Sequence, residues 1–118
     1  MAKVLVVDDD ESLRILYSKE LTDEGHDVQA VSSGKEALDS INSRRPDIII
    51  LDIKMEGMDG LSVLDEIMKT DRTIPVVLNT AYSTFKSDFT TWSADAYIVK
   101  SSDLTELKDT IKQVLQGH

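Results

Sequence analysis

Residues Ile48, Ile49, Ile50 and Leu51 form an unbroken aliphatic run between the turn signal Pro46-Asp47 and the carboxylate of Asp52. A short β-branched run bounded in this way predicts a strand buried on both faces, as in a parallel sheet with helices above and below. Asp52 stands where the run stops. In open α/β sheets the carboxyl edge of the strands is where ligands bind, because successive connections diverge there to opposite faces. Alone, Asp52 reads as a residue that begins a turn. The rest of the chain changes that reading.

Val4-Leu5-Val6-Val7 is a second apolar run that ends in carboxylates, Asp8, Asp9 and Asp10. From Ser12 to Glu24, Leu13, Leu16, Tyr17 and Leu21 recur at helical spacing, and Gly25 follows as a left-handed cap. Val28 to Val31 alternates apolar and polar residues, as an edge strand does. Ser33 with Glu36 makes a capping box for a second helix that runs to about Ser43. Leu61, Leu64, Ile67 and Met68 form one face of a third helix that opens near Asp59-Gly60. Two further apolar runs, Val76-Val77-Leu78 and Tyr97-Ile98-Val99, lead to Asn79-Thr80 and to Lys100. Leu104, Leu107, Ile111, Val114 and Leu115 mark a final amphipathic helix over Ser102 to Gln116. Between Ala81 and Asp95, Thr84, Ser87, Thr90 and Thr91 are mediocre helix formers, which predicts a short or frayed fourth helix with Phe85, Phe89 and Trp92 on one face. Five strands that alternate with helices predict a doubly wound α/β fold with a five-stranded parallel sheet and right-handed crossovers.

The 118 residues are expected to form one domain over 1–118. A formal net charge of −9 disfavours direct nucleic-acid binding, since phosphate contacts need Lys or Arg. The absence of Cys removes thiolate metal sites and fits a reducing compartment. No apolar run approaches bilayer length, and no basic region with a cleavage site precedes the first strand, so membrane insertion is not expected and the chain is expected to be cytoplasmic.

In a parallel sheet the strand ends share one edge, which brings together Asp8, Asp9, Asp52, Thr80 and Lys100. Carboxylates packed there repel; a pair at about 4 Å in an effective dielectric near 20 costs roughly 4 kcal/mol. They call for a cation, and all-oxygen donors select a hard divalent ion, Mg²⁺ or Mn²⁺. Lys100 adds positive charge and Thr80 a hydroxyl donor. Such a set suits phosphoryl transfer with Asp52 as the nucleophile. Each residue also has a plainer role: Asp8 to Asp10 as helix caps, Thr80 as a strand hydroxyl, Lys100 as a solvated charge. Five suitable residues at successive strand ends make the joint reading the stronger one.

With Val6-Val7-Asp8-Asp9, Leu51-Asp52, Met58-Asp59-Gly60, Thr80-Ala81 and Tyr97-Ile98-Val99-Lys100 in place, the chain resembles the receiver domain of bacterial two-component response regulators over its whole length. It is similar to the single-domain chemotaxis and sporulation-phosphorelay regulators. The resemblance implies a flavodoxin-like receiver fold with strand order 2-1-3-4-5. It implies a signalling switch in which Asp52 is the phosphoacceptor. Asp9, Asp52 and the backbone carbonyl of Lys54 would bind Mg²⁺ directly, Asp8 would help through water, and Lys100 and Thr80 would contact the phosphoryl group. Tyr97 would be the switch residue that follows Thr80 and alters the surface of the fourth helix, fifth strand and last helix. The implied partners are a sensor histidine kinase or a histidine phosphotransfer protein, and a downstream protein target. Lys54 and Tyr82, two places after Asp52 and Thr80, can border the path of hydrolytic water and lengthen the phosphoryl lifetime.

The chain departs from the family pattern in three ways. Ser101 follows Lys100 where the family usually has Pro, often in a cis peptide, and for a non-proline residue cis would cost about 3 kcal/mol. A trans Lys100-Ser101 bond is therefore expected. Glu56 replaces a common loop Pro, and the span from Thr80 to Lys100 is about two residues short, with Ser93 where Gly is common. Two other readings stand beside the switch. One is a Mg²⁺-dependent small-molecule phosphatase with Asp52 as nucleophile, although Lys54 stands where haloacid-dehalogenase chemistry wants a second Asp. The other is a degenerate receiver that only binds proteins, against which the intact acidic set counts.

Overall fold

The computed structural model describes residues 2–55, 58–81 and 94–117. Five strands, β1 (Lys3–Val7), β2 (Asp27–Val31), β3 (Ile48–Leu51), β4 (Val76–Thr80) and β5 (Ala96–Val99), pair in parallel in the order 2-1-3-4-5. Every residue of β3 is buried, as its unbroken aliphatic run requires. Strand β2 lies at an edge and is only partly covered, which explains its alternation.

Four helices are described: α1 (Glu11–Asp23), α2 (Gly34–Ser43), α3 (Gly60–Thr70) and α4 (Thr105–Gly117). The two faces of the sheet build two cores, because alternate residues of each strand point opposite ways. Leu5, Val7, Ile49, Leu51, Val76 and Leu78 meet Ala37 and Ile41 of α2 and Val63, Leu64 and Ile67 of α3. Val4, Val6, Ile48, Ile50, Val77 and Ile98 meet Tyr17 and Leu21 of α1 and Leu107 and Ile111 of α4.

The helix ends follow from local chemistry. Asp10 caps α1 by accepting from the amides of Ser12 and Leu13. Gly25, at φ +93°, takes the left-handed turn after α1. Ser33 caps α2, but Glu36 turns back to the amide and hydroxyl of Ser32, not to Ser33, so the expected capping box is displaced by one residue. Helix α4 starts three residues later than expected. Asp103 accepts from both the amide and the hydroxyl of Thr105, which holds the chain in a turn before the helix begins. An antiparallel hairpin of two-residue strands, Lys54–Met55 with Met58–Asp59, follows β3 where a loop was expected. The Lys100–Ser101 peptide is trans, as expected. The expected fourth helix, Phe85, Phe89, Trp92 and Ser93, and Glu56 and Tyr82 lie outside the described residues. Among the described residues, no helix is long and apolar enough to cross a membrane.

Candidate functional site

Parallel register carries the site residues to one edge. Val7 pairs with Leu51, so Asp8 and Asp52 leave adjacent strands side by side, and the amide of Asp52 donates to the Val7 carbonyl at 3.0 Å. Asp8 and Asp52 are 2% and 5% exposed, whereas Asp9 faces solvent. Each of the three can bring a carboxylate oxygen within 4.8 Å of the others. Asp10 is not in this cluster and serves as the helix cap. Across the site, the Lys100 ammonium lies 2.9 Å from Asp8 Oδ2 and 3.2 Å from Asp52 Oδ2. Burial opposes its charge, but its hydrogen bonds and charge contacts with Asp8 and Asp52 outweigh this and hold its pKa above the ordinary lysine value.

Among the described side chains, one ammonium stands against three carboxylates and leaves the cluster net negative. The donor set is all oxygen, close enough to converge on one ion and open on the Asp9 side, which fits a hard divalent ion such as Mg²⁺. Two expected results follow from this balance. At ten times its dissociation constant, Mg²⁺ should stabilise the protein by about 1.4 kcal/mol, read as a rise of about 5 °C in Tm. Lys100→Met should remove the ammonium that contacts both Asp8 and Asp52 and lower stability by about 3 kcal/mol. Urea unfolding with and without Mg²⁺ checks both. An unaltered midpoint in either case contradicts the charge balance described here.

Thr80 ends β4 fully buried, and the amide of Lys100 donates to its carbonyl at 2.6 Å. Tyr97 pairs in register with Leu78 and packs, half-buried, against the core beneath α2 and α3. It therefore lies on the same sheet face as Thr80, one pleat away. Lys54 enters the hairpin after β3, with its backbone close in sequence to Asp52; its side chain and Tyr82 lie outside the described residues.

Sequence reasoning missed three supports of the site. Arg14 Nη1 donates to the Asp8 carbonyl at 2.9 Å, which ties α1 to the end of β1. Asn79 Nδ2 donates to the Tyr17 hydroxyl at 3.0 Å inside the core. Gly60, the first residue of α3, packs so closely under Asp52 that a Cβ there would overlap the Asp52 carbonyl oxygen and the backbone of Ile53. Only the last had a signal in the sequence, an Asp-Gly pair opening a helix, where Gly is otherwise a poor helix former.

The response regulator receiver domain family matches residues 4–112, and the chain belongs to that family. Among curated relatives, it is 33% identical to sporulation initiation phosphotransferase F of Bacillus subtilis over 96% of this chain and 93% of that protein. It is 35% identical to the DNA-binding transcriptional regulator NtrC of Klebsiella pneumoniae, of which it spans only 22%. Among solved structures, the response regulator TrrA of Thermotoga maritima in complex with Mg²⁺-BeF is 42% identical, with a TM-score of 0.93 over 97% of this chain and 99% of that one. TrrA in complex with the histidine kinase ThkA gives 43% identity and a TM-score of 0.91, over 98% of this chain and 99% of that one. The fold and family are those of a phosphorylation-controlled signalling switch, and the small-molecule phosphatase reading gains no support from these relatives.

Proposed function

We propose that Asp52 accepts a phosphoryl group from a phosphohistidine on a kinase or phosphotransfer protein, and that the phosphorylated chain then controls a downstream protein. The observation that carries this is the nearly buried Asp52 carboxylate, held at the sheet edge between two further carboxylates and the Lys100 ammonium. An Asp52 oxygen attacks phosphorus in line, the P–N bond breaks, and its electron pair stays on the donor imidazole, which takes up a proton. Lys100 exchanges part of its contact with Asp52 for a phosphoryl oxygen, and the Thr80 hydroxyl donates to another. Asp9, Asp52 and the Lys54 backbone carbonyl, with Asp8 helping through water, would hold Mg²⁺, which would supply charge neutralisation for the phosphoryl oxygens. Thr80 moves toward the phosphoryl group, and Tyr97 on the same face follows into the vacated space, which changes the surface that a target reads. Residues 1–118 form one receiver domain that catalyses only its own phosphorylation and dephosphorylation and works in the cytoplasm. The kinase-bound TrrA relative supports a kinase as donor.

Incubation with acetyl phosphate and Mg²⁺ followed by intact mass measurement tests this reading. A single labile phosphoryl adduct is expected, and continuous phosphate release from unrelated phosphomonoesters contradicts it. Lys54 and Tyr82 are expected to slow loss of the adduct by obstructing the water that attacks opposite the Asp52 oxygen. Lys54→Asn and Tyr82→Ala should each shorten its half-life by about fivefold, the rate equivalent of roughly 1 kcal/mol. Decay at the parent rate in both variants removes the two side chains from this role.

A further inference from the structure

Helix α1 and strand β4 meet in the core through one polar contact. Tyr17 and Asn79 are 2% and 3% exposed; Tyr17 belongs to the core cluster of Val4, Val6, Ile50, Val77 and Ile98, and Asn79 donates to its hydroxyl. Asn is a poor strand former, and two aliphatic side chains would fill the same space without a polar group to satisfy. What the pair adds is direction, because a hydrogen bond fixes the phase of the helix on the sheet where apolar contact would let it slide.

Its position gives that direction a purpose. Strand β3, which carries Asp52, lies between β1 and β4. Helix α1 is bonded to both neighbours: Arg14 to the Asp8 carbonyl at the end of β1, and Tyr17 to Asn79 next to Thr80 at the end of β4. The Thr80 carbonyl in turn receives the amide of Lys100 at 2.6 Å. We propose that the Tyr17–Asn79 hydrogen bond is a positioning pair for phosphoryl uptake, with α1 acting as a brace that sets the spacing between the acidic side of the site and the side bearing Thr80 and Lys100. Neither residue touches the reacting atoms. Tyr17 stands within the electrostatic reach of Lys100, Asp8 and Asp52, and burial raises its pKa, which keeps the phenol neutral and its hydrogen bond in place at physiological pH. This inference rests on the proposed phosphorylation of Asp52.

Tyr17→Phe removes one oxygen from a near-isosteric ring and leaves the Asn79 amide unpaired. At saturating acetyl phosphate its rate of phosphoryl uptake should fall about fivefold, the rate equivalent of one net hydrogen bond. Mg²⁺ affinity should remain that of the parent, since the carboxylates are untouched. The double variant Tyr17→Phe with Asn79→Leu removes the unpaired amide as well. It should recover the stability that the single variant loses while its uptake stays slow. Uptake that recovers together with stability would show a merely structural pair and overturn the inference, as would parent-like uptake in Tyr17→Phe. If the parent itself takes up no phosphoryl group, the reading of Asp52 fails first, and the positioning role falls with it.

Discussion

Asp52→Asn is expected to abolish phosphoryl uptake from acetyl phosphate and from a kinase while leaving the domain folded. The substitution keeps the shape of the side chain but replaces an anionic oxygen with an amide, which is not a nucleophile toward phosphorus. The structural cost is small because two effects oppose each other. The contact from Lys100 at 3.2 Å is weakened, yet Lys100 keeps Asp8 at 2.9 Å, and one of three mutually repelling carboxylates is gone. Stability should therefore stay within about 1 kcal/mol of the parent. Intact mass and urea unfolding on the same preparation measure both quantities. Full labelling of the variant would move the acceptor elsewhere in the acidic cluster.

The second large effect is expected at Gly60, far less conspicuous in the sequence. Its amide donates to the Ile53 carbonyl at 2.6 Å, so the start of α3 is pressed against the backbone that follows Asp52. A methyl group there meets backbone atoms of Asp52 and Ile53, which cannot rotate aside as a side chain would. Ala gains up to about 1 kcal/mol in helix propensity, but displacing that backbone costs more, and a net loss of about 3 kcal/mol is expected. The same displacement moves Asp52 relative to Lys100, so uptake should fall at least about tenfold. Gly25→Ala is the comparison. Gly25 has φ +93° but open space around it, so Ala should cost about 1 kcal/mol and leave uptake unaffected. If Gly60→Ala behaves like Gly25→Ala, the close approach has no part in setting the site.

The sheet was legible because each strand is an unbroken or alternating apolar run with punctuation on both sides, and the parallel order then placed Asp8, Asp52, Thr80 and Lys100 at one edge. Gly25 and Ser33 announced helix ends through their backbone and side-chain chemistry. The hairpin at Lys54–Met55 and Met58–Asp59 did not show, since two-residue strands carry no periodicity. Asp103 hid the true start of α4, because Ser102 and Asp103 are equally good residues to begin a helix and only the contact with Thr105 decides between them. Tyr17 read as one more apolar position in α1, and Asn79 as the fading end of a strand. Their bond joins residues 62 positions apart, and no local pattern predicts such a partner.

Chemical mapping of the phosphoryl group tests the central claim most directly. Borohydride reduces an aspartyl phosphate to homoserine, so treating the acetyl-phosphate-labelled protein and sequencing its peptides by mass spectrometry marks the acceptor residue. The arrangement of Asp8, Asp9 and Lys100 around Asp52 predicts homoserine at position 52 and at no other carboxylate. Homoserine at position 8 or 9, or a phosphoryl group on a side chain that borohydride leaves unchanged, would contradict it.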